Sequence, residues 1–207
     1  MERERRNARG ESGTRAAVDR SAMGTMIGNG TDVVSFLKAQ HEQVKLLFQN
    51  VTSAHGDLRN KAFIELRRTL AVHEAAEEEI VHPAARRTIA NGDSIVDARL
   101  KEENQAKKVL GELEKLDVDS DEFEQKFAMF QKDVIAHAEA EEREEFSQLA
   151  TKMDDKRLEQ IRKAAEFAEK IAPTRPHPSV GESATANMLA GPFASMLDRA
   201  RDAIAKH

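Results

Sequence analysis

The amino-acid sequence predicts an all-α protein: an antiparallel four-helix bundle with additional C-terminal helical segments and a flexible N-terminal tail. Three observations carry this. Apolar residues recur at alternating steps of three and four along four long stretches, the period of a helix with one buried face. Charged residues make up 33% of the chain and aromatics 4%, with no Trp or Tyr, which suits long polar-faced helices better than sheets. Between the stretches stand His55-Gly56-Asp57, Asn91-Gly92-Asp93 and Asp117-Val118-Asp119-Ser120-Asp121, all short turn-forming runs.

In chain order, residues 1–30 are rich in Arg, Gly, Ser and Asn, lack apolar periodicity and are expected to form a disordered tail. The bundle is assigned to residues 31–153. Its first helix starts near Thr31 or Asp32, both good caps, and runs to about Ala54 with the seam Val34, Leu37, His41, Val44, Phe48, Val51. The second extends from about Leu58 to Ala90, with Pro83 expected to kink or divide it. The third covers about Ser94 to Leu116, and the fourth runs from the Asp-rich turn to about Met153. Residues 154–172 form an accessory helix with Leu158, Ile161, Ala165, Ala168 and Ile171 on one face. Residues 173–207 hold a linker containing Pro173, Pro176 and Pro178 and a short amphipathic helix bearing Phe193, Met196, Leu197, Ala200 and Ile204.

Polar residues interrupt these seams at matching places. On the second helix the seam reads Phe63, Leu66, Leu70, His73, Glu77, Ile80, Ala84; on the fourth it reads Phe123, Phe127, Phe130, Val134, His137, Glu141. Each His–Glu pair is four residues apart, so both side chains project from one face. Burying an unpaired carboxylate costs on the order of several kcal/mol, a cost that a bound cation removes. A weak internal repeat reinforces the pattern: Leu37-Lys38-Ala39-Gln40-His41 resembles Leu100-Lys101-Glu102-Glu103-Asn104, and each run precedes its His–Glu pair by a similar distance. Two hairpins of one design, packed antiparallel, bring the special residues of all four helices to one level, where a binuclear metal centre can be built. Imidazole with carboxylate suits iron, manganese or zinc, and the abundance of carboxylate favours a pair of irons.

Composition narrows the function classes. With no Cys there are no disulfides, thiolate zinc sites, iron–sulfur clusters or thiol chemistry, and a reducing cytoplasm is the expected compartment. A net charge of −5 gives no reason to expect nucleic acid, and no apolar run reaches membrane-spanning length.

Across residues 31–153 the chain resembles the hemerythrin-like (HHE cation-binding) family, on His41 in the first helix, His73 with Glu77 in the second, and His137 with Glu141 in the fourth. The resemblance implies a non-haem di-iron centre: two iron ions, Glu77 and Glu141 as bridging carboxylates, and His41, His73 and His137 as terminal ligands. It also implies dioxygen or peroxide as the small-molecule ligand, with binding, sensing or peroxide decomposition as the activity. The third helix departs from the pattern, because Asn104 stands where the family usually offers a histidine. Helical phase favours Glu103 as the third-helix metal ligand, with Asn104 second; the site would then be richer in carboxylate and poorer in histidine than an oxygen carrier's. His82 lies nine residues from His73, nearly opposite on an ideal helix, and is expected as a partly exposed histidine, with a role as metal ligand the lesser alternative should Pro83 redirect it inward. Glu78, Glu79, Glu142, Glu144 and Glu145 read as a solvated face, with Glu78 or Glu142 available to support ligands. Ferritin-like iron oxidation or storage is an alternative that ranks low, since only Glu79-Ile80-Val81-His82 spells the Glu-x-x-His motif. A metal-free helical interaction module is the last alternative.

Overall fold

The structure, a computed structural model, describes residues 31–172. These residues form α1 (Val33–Ser53), α2 (Gly56–Ala76), a π turn (Glu77–Val81), α3 (His82–Thr88), α4 (Gly92–Leu113), α5 (Asp121–Glu141), a second π turn (Glu142–Phe146), α6 (Ser147–Lys152) and α7 (Asp155–Ile171). No helix among the described residues is long and apolar enough to cross a membrane. The expected N-terminal tail, proline linker and C-terminal helix lie outside the described residues.

Capping follows the sequence. The Asp32 side chain accepts from the Ser35 N–H at 3.0 Å, Ser120 caps α5 through the Phe123 N–H, and Asp154 caps α7 through the Arg157 N–H. The turn into α4 depends on Asn91 in the left-handed region (φ 57°) and on Gly92. A Cβ at Gly92 would lie 2.7 Å from the Arg86 carbonyl oxygen, too close for any other residue. At the turn into α2, the Asp119 carboxylate accepts from the Gly56 N–H at 2.8 Å, tying the two hairpins together at that end.

Four strands of helix (α1, α2–α3, α4 and α5–α6) run up and down, joined by short turns, and α7 packs against α1, α2 and the first π turn. The interior is divided. One apolar cluster gathers Phe36, Leu37, Ile80, Val96, Phe146 and Leu149 with the inner face of α7. The other holds Val44, Phe48, Leu66, Leu110 and Val134, together with Phe63, Phe123, Phe127 and Phe130. Phe63 and Phe123 meet edge to face at 5.2 Å. Each of the four helical strands passes from one cluster to the other, and each crosses a polar layer on the way.

The second helix corrects the sequence reading. Its interruption is a π turn that begins at Glu77, before Pro83, and the His82 N–H bonds the Glu77 carbonyl five residues back. Pro83 sits in the first turn of α3, where its missing N–H costs nothing. Proline is not the cause common to both breaks, because the second π turn contains none. What the two turns share is position: one begins at the Glu of a His–Glu pair and the other directly after it.

Candidate metal centre

The polar layer is assembled from all four strands of the bundle. α1 contributes His41, α2 contributes His73, the first π turn contributes Glu77, α4 contributes Glu103, and α5 contributes His137 and Glu141. His41, His73, Glu77, Glu103 and Glu141 are each less than 5% exposed, and the His137 side chain is 10% exposed. All six residues singled out from the sequence are thus brought together. Asn104 is on the surface, one residue past Glu103 and rotated about 100° away.

Two further residues enter the layer that the sequence reading placed outside it. His82 is 1% exposed and Glu145 is fully buried, so neither belongs to a solvated face. The π turns explain both. Nine regular helical steps would set His82 about 180° from His73, but a π turn absorbs one residue without advancing the face, which leaves an offset of about 80°. In the same way Glu145, eight steps from His137, moves from about 80° to about 20° away. Nothing local in Glu77-Glu78-Glu79-Ile80-Val81 or Glu142-Arg143-Glu144-Glu145-Phe146 spells a π turn, so helical phase alone could not find these two.

The histidines share one arrangement. Each Nδ1 faces an oxygen at the outside of the layer: His41 to Glu142 at 2.9 Å, His73 to Gln40 at 2.8 Å, His137 to Glu102 at 2.9 Å and His82 to Glu145 at 3.0 Å. An ionised carboxylate or an amide oxygen can only accept, so Nδ1 carries the proton in each case. Each Nε2 faces a carboxylate inside the layer: His41 to Glu141 Oε2 at 3.4 Å, His73 to Glu77 at 3.2 Å, His137 to Glu141 Oε1 at 3.3 Å and His82 to Glu103 at 2.7 Å. Glu142 is therefore an outer support for His41, as the sequence allowed, whereas Glu78 pairs with Lys107. Gln40 in turn donates to Glu169 of α7 at 2.6 Å, so α7 holds the partner of His73.

Electrostatically the layer is short of positive charge. Burial, then the nearby Glu141, Glu74 and Glu103, push the Glu77 carboxyl well above its ordinary range. Burial and neighbouring His41 depress His73 to about 3. Burial disfavours charge on His82 too, but its hydrogen bonds to Glu103 and Glu145 outweigh that and hold it well above its ordinary value. Burial likewise opposes ionisation of Glu103, yet the His82 bond holds that carboxyl down at about 2. Meanwhile Nε2 of His41 and of His137, both oxygens of Glu77, both of Glu141 and Oε2 of Glu103 are buried with no hydrogen-bond partner. Such groups are costly in a folded protein unless something meets them.

These atoms fit a cation. His41, His73, Glu77 and Glu141 each offer one atom within 4.8 Å of the others, and so do Glu103, His137 and Glu141. A mixed imidazole and carboxylate set suits iron, manganese or zinc, and the outward Nδ1 bonds are the supports that metal-bound histidines use. A cleft lined by Val44, Leu70 and Val134 with Lys45 reaches His41, His73 and His137 from the surface.

The hemerythrin HHE cation binding domain family matches residues 32–149. Among solved structures, a hemerythrin HHE cation binding domain-containing protein from Mycobacterium kansasii superposes with a TM-score of 0.61 at 20% identity, over 82% of this chain and 98% of that one. At that identity the likeness speaks to the fold. No curated protein matches the sequence. With more than half of its length matched, the chain belongs to the hemerythrin HHE cation-binding family.

Proposed function

We propose that the protein is a non-haem di-iron protein of the hemerythrin-like class that handles dioxygen or peroxide at two iron ions held by His41, His73, Glu77, Glu103, His137 and Glu141. The supporting observation is the buried layer itself, in which inward imidazole nitrogens and carboxylate oxygens lack hydrogen-bond partners and crowded carboxyls oppose one another's ionisation. A cation meets both needs at once. Glu141 suits a bridging role because its two oxygens face different histidines, Oε2 toward His41 and Oε1 toward His137.

Bound iron supplies redox equivalents and Lewis acidity to a small oxygen ligand. The chain's own residues do the rest. Glu142, Gln40 and Glu102 fix the histidine tautomers, so that Nε2 is the free donor of each ring. Phe146 stacks on His41 at 5.6 Å and closes one side of the layer to water. The small, mostly apolar cleft suits a ligand of two or three atoms.

Anaerobic titration with ferrous salt tests this reading: two equivalents are expected to bind per chain, with near-ultraviolet absorption growing on exposure to air. Protein that takes up no iron would end it. Oxygen evolution over many turnovers after peroxide addition marks an enzyme, and a stable coloured state without turnover marks a binding or sensing protein.

A further inference from the structure

The ligand set above leaves out one histidine of the polar layer. His82 is as deeply buried as any of the others, and it repeats their orientation, although its Nε2 already bonds Glu103 at 2.7 Å. Its Nδ1 is taken by a buried carboxylate, Glu145, at 3.0 Å, and its Nε2 points inward. A metal-bound imidazole needs this tautomer, with the proton on one nitrogen held by an outer oxygen and the lone pair of the other left for the ion.

We propose that His82 is the terminal imidazole of the second cation position, standing in for the histidine that α4 lacks, and that Glu145 is its positioning residue. This inference rests on the metal-binding reading of the layer. Its support is the way the donor atoms divide. His41, His73 and Glu77 gather with Glu141, and Glu103 and His137 gather with Glu141 on a second side. Glu77 also meets Glu74 and His137, and His82 gathers with Glu141 and Glu145. His82 falls on the second side, with its Nε2 2.7 Å from Glu103 Oε1 and 4.0 Å from Glu141 Oε1, the same oxygen that lies 3.3 Å from His137 Nε2. Around an octahedral ion with bonds of about 2.1 Å, donor atoms sit about 3 Å apart when adjacent and about 4.2 Å apart when opposite. The 3.3 and 4.0 Å separations fall between such values, and the 2.7 Å separation from Glu103, a hydrogen bond, lies just below them. Each of the two positions then has two imidazoles, His41 with His73 and His82 with His137, and Glu141 lies between them.

The competing role for His82 is that of a cation pairing Glu103 with Glu145, with no metal bond. Anaerobic ferrous titration separates the two. Wild-type protein is expected to bind two equivalents and His82→Gln one, with the affinity of the remaining equivalent unchanged. Glu145→Gln should weaken one of the two equivalents by about 10–100-fold and leave the other alone. Two equivalents of wild-type affinity in His82→Gln would overturn the proposal, as would a wild-type protein that binds only one; no binding at all by the wild type would instead overturn the metal-binding reading beneath it. Because His82→Gln touches the core, a measurement on unaltered protein stands beside it. In cobalt(II)-loaded wild type, four exchangeable, strongly shifted imidazole N–H proton resonances are expected, and three would show that His82 is unbound.

Discussion

Two His–Glu pairs with the same spacing, at the same level of the same bundle, hold their protons in opposite ways. In the first pair His73 is depressed to about 3 and Glu77 is pushed well up, so the proton sits on the carboxyl and the pair is neutral inside. In the second His137 is raised to about 10 and Glu141 is held far down, so the pair is an ion pair. The surroundings make the difference. His73 packs edge to face on His41 at 5.1 Å and bonds a neutral amide, Gln40, whereas His137 bonds a carboxylate, Glu102, and lies near Glu74 and Glu103. A motif read from letters therefore specifies donors and spacing, while the third and fourth neighbours decide charge.

The comparison yields experiments of decreasing effect. The largest concerns the residue common to both sides. Glu141 faces His41 with one oxygen and His137 with the other, so Glu141→Gln is expected to reduce iron content to near zero by elemental analysis; retention of one full equivalent would show that the two sides do not share it.

Next come the histidines of the pairs. His73→Ala and His137→Ala should each lower iron content and the melting temperature of the loaded protein together, since bound metal contributes folding free energy. At this chain length each kcal/mol corresponds to about 2–4 °C. His55→Ala is the control, because that side chain is 79% exposed at the start of α2. Equal losses in all three would break the assignment.

A smaller effect separates the two neighbours on α4. Glu103→Gln is expected to weaken one iron, and Asn104→Ala, at a surface position, to leave iron content unchanged. The reverse result would move the ligand to Asn104.

The mildest test uses pH on metal-free protein. A histidine whose folded pKa is raised contributes stability that is fully present below its unfolded value and is lost as pH climbs through the folded one. For His137 that window runs from 6.5 to about 10. Glu77, a carboxyl raised by folding, also disfavours the fold as pH rises above its ordinary value of 4.5. Both effects have the same sign, so the metal-free protein should melt a few degrees lower at pH 9 than at pH 6. Iron-loaded protein should change less, because a bound cation keeps the imidazoles neutral and the carboxylates charged. A flat melting curve in the metal-free protein would contradict the protonation described for the second pair.

Much of this was legible in the sequence, for reasons that are local. The seams of α1, α4, α5 and α7 are periodic, and α1, α5 and α7 are capped by side chains, so their burial follows from spacing. Helical phase separated buried Glu103 from surface Asn104. The letter repeat pointed to Asn104 because it aligns residues by identity, whereas packing aligns them by rotation. Where the reading failed, it failed after residues 77 and 141, since every residue beyond a π turn is rotated relative to a regular helix. That single cause accounts for His82 and Glu145, and for attributing the break to Pro83. Outer partners such as Gln40, Glu102 and Glu169 come from different helices and have no signature within one.

The two π turns also change what counts as a mutation in this chain. A deletion of one residue from Glu77–Val81 would restore an ordinary helix and leave His82 on the layer, because the π turn already absorbs one residue. Regularising the turn with every residue kept would instead swing His82 by about 100° and carry it off. In Glu142–Phe146 a regular helix with every residue kept would turn Glu145 away from His137 by about 80°, and a one-residue deletion would keep it in place. Part of the centre's recipe is thus written in helical pitch and residue count together, invisible to any scheme that scores substitutions alone. A single-codon deletion in either five-residue window is expected to preserve the donor beyond it, whereas a change that restores regular pitch with all residues kept would discard that donor without altering a letter of the His–Glu pairs.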